Sequence, residues 1–171
     1  KDITVGQGSL YYSMAIRTDG KLFAWGNNSV GQLGWISWRQ VSVGNNHSLL
    51  LRSDGALYTM GTNNAGQLGD GTTANKSSPV LIGTSSWSVI SAGVSTSTAI
   101  TSLGKLFTWG LNNLGQLGLS DATNRSSPVQ VGTSSWTSVS ASDYMLAITN
   151  TGLLYSWGNN SNGQLGQNNL V

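Results

Sequence analysis

Bond-making chemistry at neutral pH draws on a short set of side chains, and this sequence holds few of them. It has one histidine, His47, six acidic residues and no cysteine. With no thiol there is no cysteine nucleophile, no thiolate metal site and no disulfide framework. Serine is plentiful, but no Gly-x-Ser-x-Gly turn lifts one into a nucleophile's position. His47 follows Gly44-Asn45-Asn46 at the start of an apolar run, so it reads as a capped edge or loop histidine and not as a general base. All the acids are aspartate: Asp19 and Asp54 precede glycines in turns, Asp70 and Asp121 lie in polar loops, and Asp2 and Asp143 stand alone. Asp70 with Thr72 and Asp121 with Asn124 come nearest to an oxygen cage for calcium, yet neither follows the loop pattern that ion requires. No Gly-Lys-Ser/Thr follows the glycine-rich phrases, so they are not phosphate loops. The expectation is a non-enzyme without metal or cofactor.

The sequence repeats a different kind of phrase. WGNNSVGQLG at 25–34 returns as MGTNNAGQLG at 60–69, WGLNNLGQLG at 109–118 and WGNNSNGQLG at 157–166. Longer stretches align too, from Trp38, Trp87 and Trp136 through each phrase, so nearly the whole chain is repeat. The repeats run approximately over 1–34, 35–86, 87–135 and 136–171, within a single domain spanning 1–171.

Strands must carry these phrases. YSMAIRT (12–18) and YMLAITN (144–150) are short apolar runs without a helical stripe. Asp19-Gly20, Asp54-Gly55, Leu103-Gly104 and Thr151-Gly152 follow such runs, and Asp-Gly predicts a type I′ hairpin with positive φ at both central residues. In the next strand Leu22, Leu57, Leu106 and Leu154 share one face, and Phe23, Tyr58, Phe107 and Tyr155 the other. A strand apolar on both faces needs a neighbour on each, which stacked blades supply.

After the phrase, two units continue as DGTTANKSSPVLIGTSS and LSDATNRSSPVQVGTSS, polar loops leading into a Pro-Val segment that suits an outer edge strand. The first unit lacks this piece, and WISW (35–38) sits at the join. Either one blade is truncated or part of a longer parent chain is absent.

The pattern aromatic-Gly-x-Asn-x-x-Gly-Gln-Leu-Gly resembles the regulator of chromosome condensation repeat family, with Met60 the one lapse in the phrase. The resemblance implies an all-β fold of propeller blades, each a four-stranded antiparallel sheet. About four repeats would then form a partial propeller or the arc of a larger ring. A residue repeated in every unit is best explained by a task every unit shares. Trp25, Asn28 and Gln32, Asn63 and Gln67, Trp109, Asn112 and Gln116, and Trp157, Asn160 and Gln164 are therefore read as mortar. The Asn amides are expected to satisfy turn backbone, and the Gln amides to bond between adjacent blades.

Recognition is expected where the repeats differ. Asn64, Asn113 and Asn162 belong to the variable pairs inside the phrase and should decorate one rim. Lys76 and Arg125 occupy matched loop positions and could form a small basic spot. Trp35 and Trp38 break the pattern and are candidate aromatic anchors for a partner.

Charged residues make up 8% of the chain, against roughly 25% in ordinary soluble domains. The basic ones are scattered, without the stripe that follows a phosphate backbone, which argues against nucleic acid. No apolar run approaches the roughly 20 residues of a membrane span, and no signal peptide opens the sequence. The reading is a non-enzymatic scaffold or recognition module that presents polar and aromatic loops to a protein or glycan. Composition leans toward a cell-surface or virion-appendage protein, and copies could self-assemble to complete a ring. The family resemblance implies an alternative, a guanine-nucleotide exchange factor or chromatin-associated regulator of a small GTPase.

Overall fold

In the computed structural model the described residues are 3–5, 12–16, 22–26 and 37–168. They form strands joined by turns and loops, with no helix among them. The chain divides into two units, Lys1–Ser37 and Trp38–Val171. In the first, β1 (Ile3–Val5), β2 (Tyr12–Ile16) and β3 (Leu22–Gly26) pair in that order as an antiparallel sheet.

The second unit holds three sheets. The first contains β4 (Trp38–Val43), β5 (His47–Arg52), β6 (Leu57–Gly61) and β7 (Lys76–Leu81). The next contains β8 (Trp87–Ala92), β9 (Thr96–Thr101), β10 (Leu106–Gly110) and β11 (Arg125–Gln130). The last contains β12 (Trp136–Ala141), β13 (Tyr144–Thr149) and β14 (Leu154–Gly158). Every pairing is antiparallel between consecutive strands. Two blades therefore have the expected four strands, and the last has three among the described residues. Pro79 and Pro128 fall in β7 and β11, the edge strands, where a missing N–H breaks no ladder.

The hairpins differ in detail from the sequence expectation. Arg52 N–H donates to the Ala56 carbonyl and Gly55 N–H to the Arg52 carbonyl, which encloses a three-residue loop. Positive φ is needed only at Gly55 (89°), and Asp54 is not left-handed. This is a type I turn closed by a glycine bulge, not a two-residue type I′ turn. The same bonds close Thr101–Lys105 and Thr149–Leu153, with Gly104 and Gly152 in the left-handed place. Because only the glycine is left-handed, Leu103 and Thr151 substitute for Asp without strain.

Successive sheets of the second unit stack face on face. Leu49, Leu51 and Leu57 of one blade bury against Trp87, Ile90, Ala92 and Trp109 of the next. Ile100 and Leu106 bury against Trp136, Val139 and Ala147 of the blade after. A buried leucine contributes about 1.5–3 kcal/mol, so these seams dominate cohesion. Neutral hydrogen bonds fix the register across them. The Gln40 amide exchanges both its bonds with the Ile90 backbone. The Ser42 hydroxyl accepts from Ala92 N–H, and the Ser91 hydroxyl from Ala141 N–H.

Candidate functional site

In each blade of the second unit the recurring phrase forms the loop after the third strand, and its shared residues face inward. Asn63 and Asn112 are fully buried, and Asn160 nearly so. The Asn63 side-chain oxygen accepts from Leu68 N–H at 2.9 Å, and its amide donates to the carbonyls of Thr72 and Ala74 and to Asp70. Asn112 accepts from Leu117 N–H and donates to Asp121 in the same way, and Asn160 accepts from Leu165 N–H. Each Asn thus ties the phrase's turn, and in the two longer units it also holds the loop toward the outer strand.

Gln does something other than the sequence reading proposed. The side-chain oxygens of Gln67, Gln116 and Gln164 accept from the N–H two residues earlier, at Ala65, Leu114 and Asn162. They brace their own loops. The bond that crosses between blades is made by the Gln backbone carbonyl. Trp109 indole N–H donates to the Gln67 carbonyl at 2.9 Å, and Trp157 to the Gln116 carbonyl at 3.0 Å. A side chain already folded back onto its own turn cannot reach the neighbouring blade, whereas the carbonyl at that turn points toward it. Asn28, Gln32 and Trp35 lie outside the described residues, and of Trp25 only its place in β3 is described.

With the shared residues turned in, the variable ones stand out. Asn64, Asn113, Leu114, Ser161 and Asn162 are exposed, at the same place in three successive blades. Asn113 also accepts from the Gln116 amide, which steadies the tip of its loop. A shallow depression of about 250 Å³ opens where the first turns of the three blades meet. There Asn45 N–H donates to the Val94 carbonyl, and Val94 N–H to that of Ser142.

The other candidates sit differently from expectation. Lys76 and Arg125 open β7 and β11, and each is paired within its own loop, Lys76 with Asp70 and Arg125 with Asp121. Neutralised in place, they do not add up to a free basic spot. These contacts draw the Asp121 carboxyl below the ordinary aspartate range, led by a hydrogen bond from Thr123 N–H. Trp38 does not break the repeat: it opens β4 opposite Arg52, as Trp87 and Trp136 open β8 and β12 opposite Thr101 and Thr149. Unlike those two buried indoles it is 46% exposed, packed edge-on against Tyr58. His47 is no edge or loop residue. It is buried between blades, with Nε2 2.9 Å from the Ser97 hydroxyl, which itself donates to the Gln67 carbonyl. Among the described residues no cluster of potential metal ligands forms.

A family model for the regulator of chromosome condensation (RCC1) repeat matches residues 3–32, 38–67, 87–116 and 136–164, and a second of the same description matches 54–100 and 104–148. No curated protein matches the sequence. Prp20p from Saccharomyces cerevisiae is similar in structure, with a TM-score of 0.67 and 22% identity over 97% of this chain and 47% of its own. Human WBSCR16 gives 0.65 and 23% over 92% and 48%, and yeast RCC1 (Prp20) bound to Kap60 gives 0.63 and 22% over 92% and 44%. The chain spans about half the length of these structures, and at such identities the likeness is one of fold: β-propeller blades of antiparallel strands. With the four matched repeats covering well over half its residues, the chain belongs to the regulator of chromosome condensation (RCC1) repeat family.

Proposed function

We propose that the chain is a non-enzymatic recognition module that holds a partner with the variable residues of its phrase loops. One observation carries this reading. The repeated Asn and Gln side chains are engaged inside their loops, while Asn64, Asn113, Leu114, Ser161 and Asn162 stand exposed at matched places on successive blades. A rigid loop carrying short amides and one leucine offers hydrogen bonds and a small apolar contact at little ordering cost. At the other end of its blade, beside the Gly55 hairpin, exposed Trp38 offers an aromatic element of the kind that anchors protein interfaces.

A protein partner is the first class to try. Prp20p is described with binding properties to Gsp1p and histones, and yeast RCC1 with Kap60 bound. Glycans are the second class, since amide-rich loops also suit hydroxyl-rich ligands. A surface or virion setting rests on composition alone, the low charge and the absence of cysteine.

The test pairs a glycan array and binding to Gsp1p and histones with a nucleotide-release assay on Gsp1p. Binding of one probe that the combined Asn64→Ala, Asn113→Ala, Leu114→Ala and Asn162→Ala variant weakens at least about tenfold supports the rim. Binding indifferent to these changes overturns it. Accelerated nucleotide release would replace the module with the exchange-factor reading.

A further inference from the structure

In the second unit each blade face that looks toward the following blade is covered by the same devices, and the last blade leaves those devices exposed. Leu57 and Leu106 are fully buried, whereas Leu154, at the same place in β14, is 64% exposed and Ile148 beside it 40%. The hydroxyls of Ser42 and Ser91 accept a backbone N–H from the following blade, and their counterpart Ser140 in β12 is exposed. The carbonyls of Gln67 and Gln116 accept an indole N–H from the following blade. A Cβ on Gly69 or Gly118 would lie 2.7 Å from that same indole nitrogen, so each glycine is the floor of a tryptophan seat. At Gly166 no described residue lies within 4 Å of the Cβ position.

We infer that this face of β12–β14 docks a blade of the same repeat type from a second copy of the chain, with an indole seated over Gly166 and donating to the Gln164 carbonyl. The face asks for three things at fixed spacing: an apolar sheet surface for Leu154 and Ile148, a strand N–H for Ser140, and an indole for the seat. A blade of this repeat brings all three together, as the two seams already formed demonstrate. The chain itself carries one further tryptophan at that repeat position, Trp25 in β3. Its register opposite Ser13 matches that of Trp109 opposite Ser97 and Trp157 opposite Met145. Such a contact is head-to-tail, closing into a pair where the rotation allows and running on as a chain where it does not.

Sedimentation equilibrium of the chain from low to high micromolar concentration reads the outcome. The expected result is a mass of two copies or more, against 17.9 kDa for one. Leu154→Arg and Ile148→Lys, both at exposed positions, are expected to weaken association at least about tenfold with unchanged circular dichroism. Leu103→Arg, at an exposed hairpin tip elsewhere, should leave it intact. A single-copy mass at every concentration overturns the inference, as does association that survives both face variants.

Discussion

At the scale of the residue, His47 is the side chain whose environment has the clearest chemical consequence. Burial between two blades disfavours its charged form and holds its pKa below the usual histidine value. One ring nitrogen meets Ser97, and the other has no partner. The sign follows from linkage. The unfolded chain takes up this proton near pH 6.5, while the folded chain resists until lower pH. Stability is therefore full above about pH 7, falls as pH drops through 6.5, and levels off below the folded pKa. Asp54, Asp70 and Asp121 do not confuse this window, because Asp54 is held at about 2 by its bond to Arg52, and the other two are also lowered. The urea midpoint should fall between pH 7.5 and 5.5 in the parent and stay flat in His47→Gln. A parent midpoint that does not move over this range would contradict the account. The burial of His47 was not legible in the sequence. Its repeat counterparts are Tyr12, Thr96 and Tyr144, so nothing in the pattern marked the position as interior.

At the scale of the element, the phrase loop separates two adjacent asparagines. Asn63 is fully buried and satisfies both loop and turn, whereas Asn64 is exposed. Asn63→Ala strands Leu68 N–H and the carbonyls it served, at a cost of about 1–3 kcal/mol or more, while Asn64→Ala should change stability by within about 0.5 kcal/mol. Chemical denaturation of the two variants checks this, and equal effects would refute the division of labour. Which residues form the loop was plain from four copies of one phrase. What each atom does was not. A carbonyl has no residue-type signature, so the sequence points to the Gln67 and Gln116 side chains where their backbone carbonyls make the blade-crossing bond. The pairing of Lys76 and Arg125 runs against the basic spot expected from the sequence, although an aspartate precedes each in the same loop.

At the scale of the whole molecule, the second unit behaves as a stack in which each blade meets only its neighbours. Leu57 lies in the first seam and Leu106 in the second, in separate clusters. Leu57→Ala and Leu106→Ala should each cost about 2–5 kcal/mol. Their double variant should cost the sum to within about 0.5 kcal/mol, because the sites share no packing partner. Denaturant midpoints of the three variants test this, and strong coupling would mean the seams are not independent. Fold class was legible at this scale because alternating faces and a fixed period leave few architectures. The exposure of the last face was not, since Leu154 is written like Leu57 and Leu106, and only neighbours distinguish them.

The three ion pairs found among the described residues, Arg52–Asp54, Lys76–Asp70 and Arg125–Asp121, each lie within a single blade. What joins one described blade to the next is leucine, indole, hydroxyl and amide. Dissolved electrolyte weakens attraction between exposed charges over about 10 Å at moderate ionic strength, and it finds no such attraction between these blades to weaken. The stack should sit as firmly in brine as in dilute buffer.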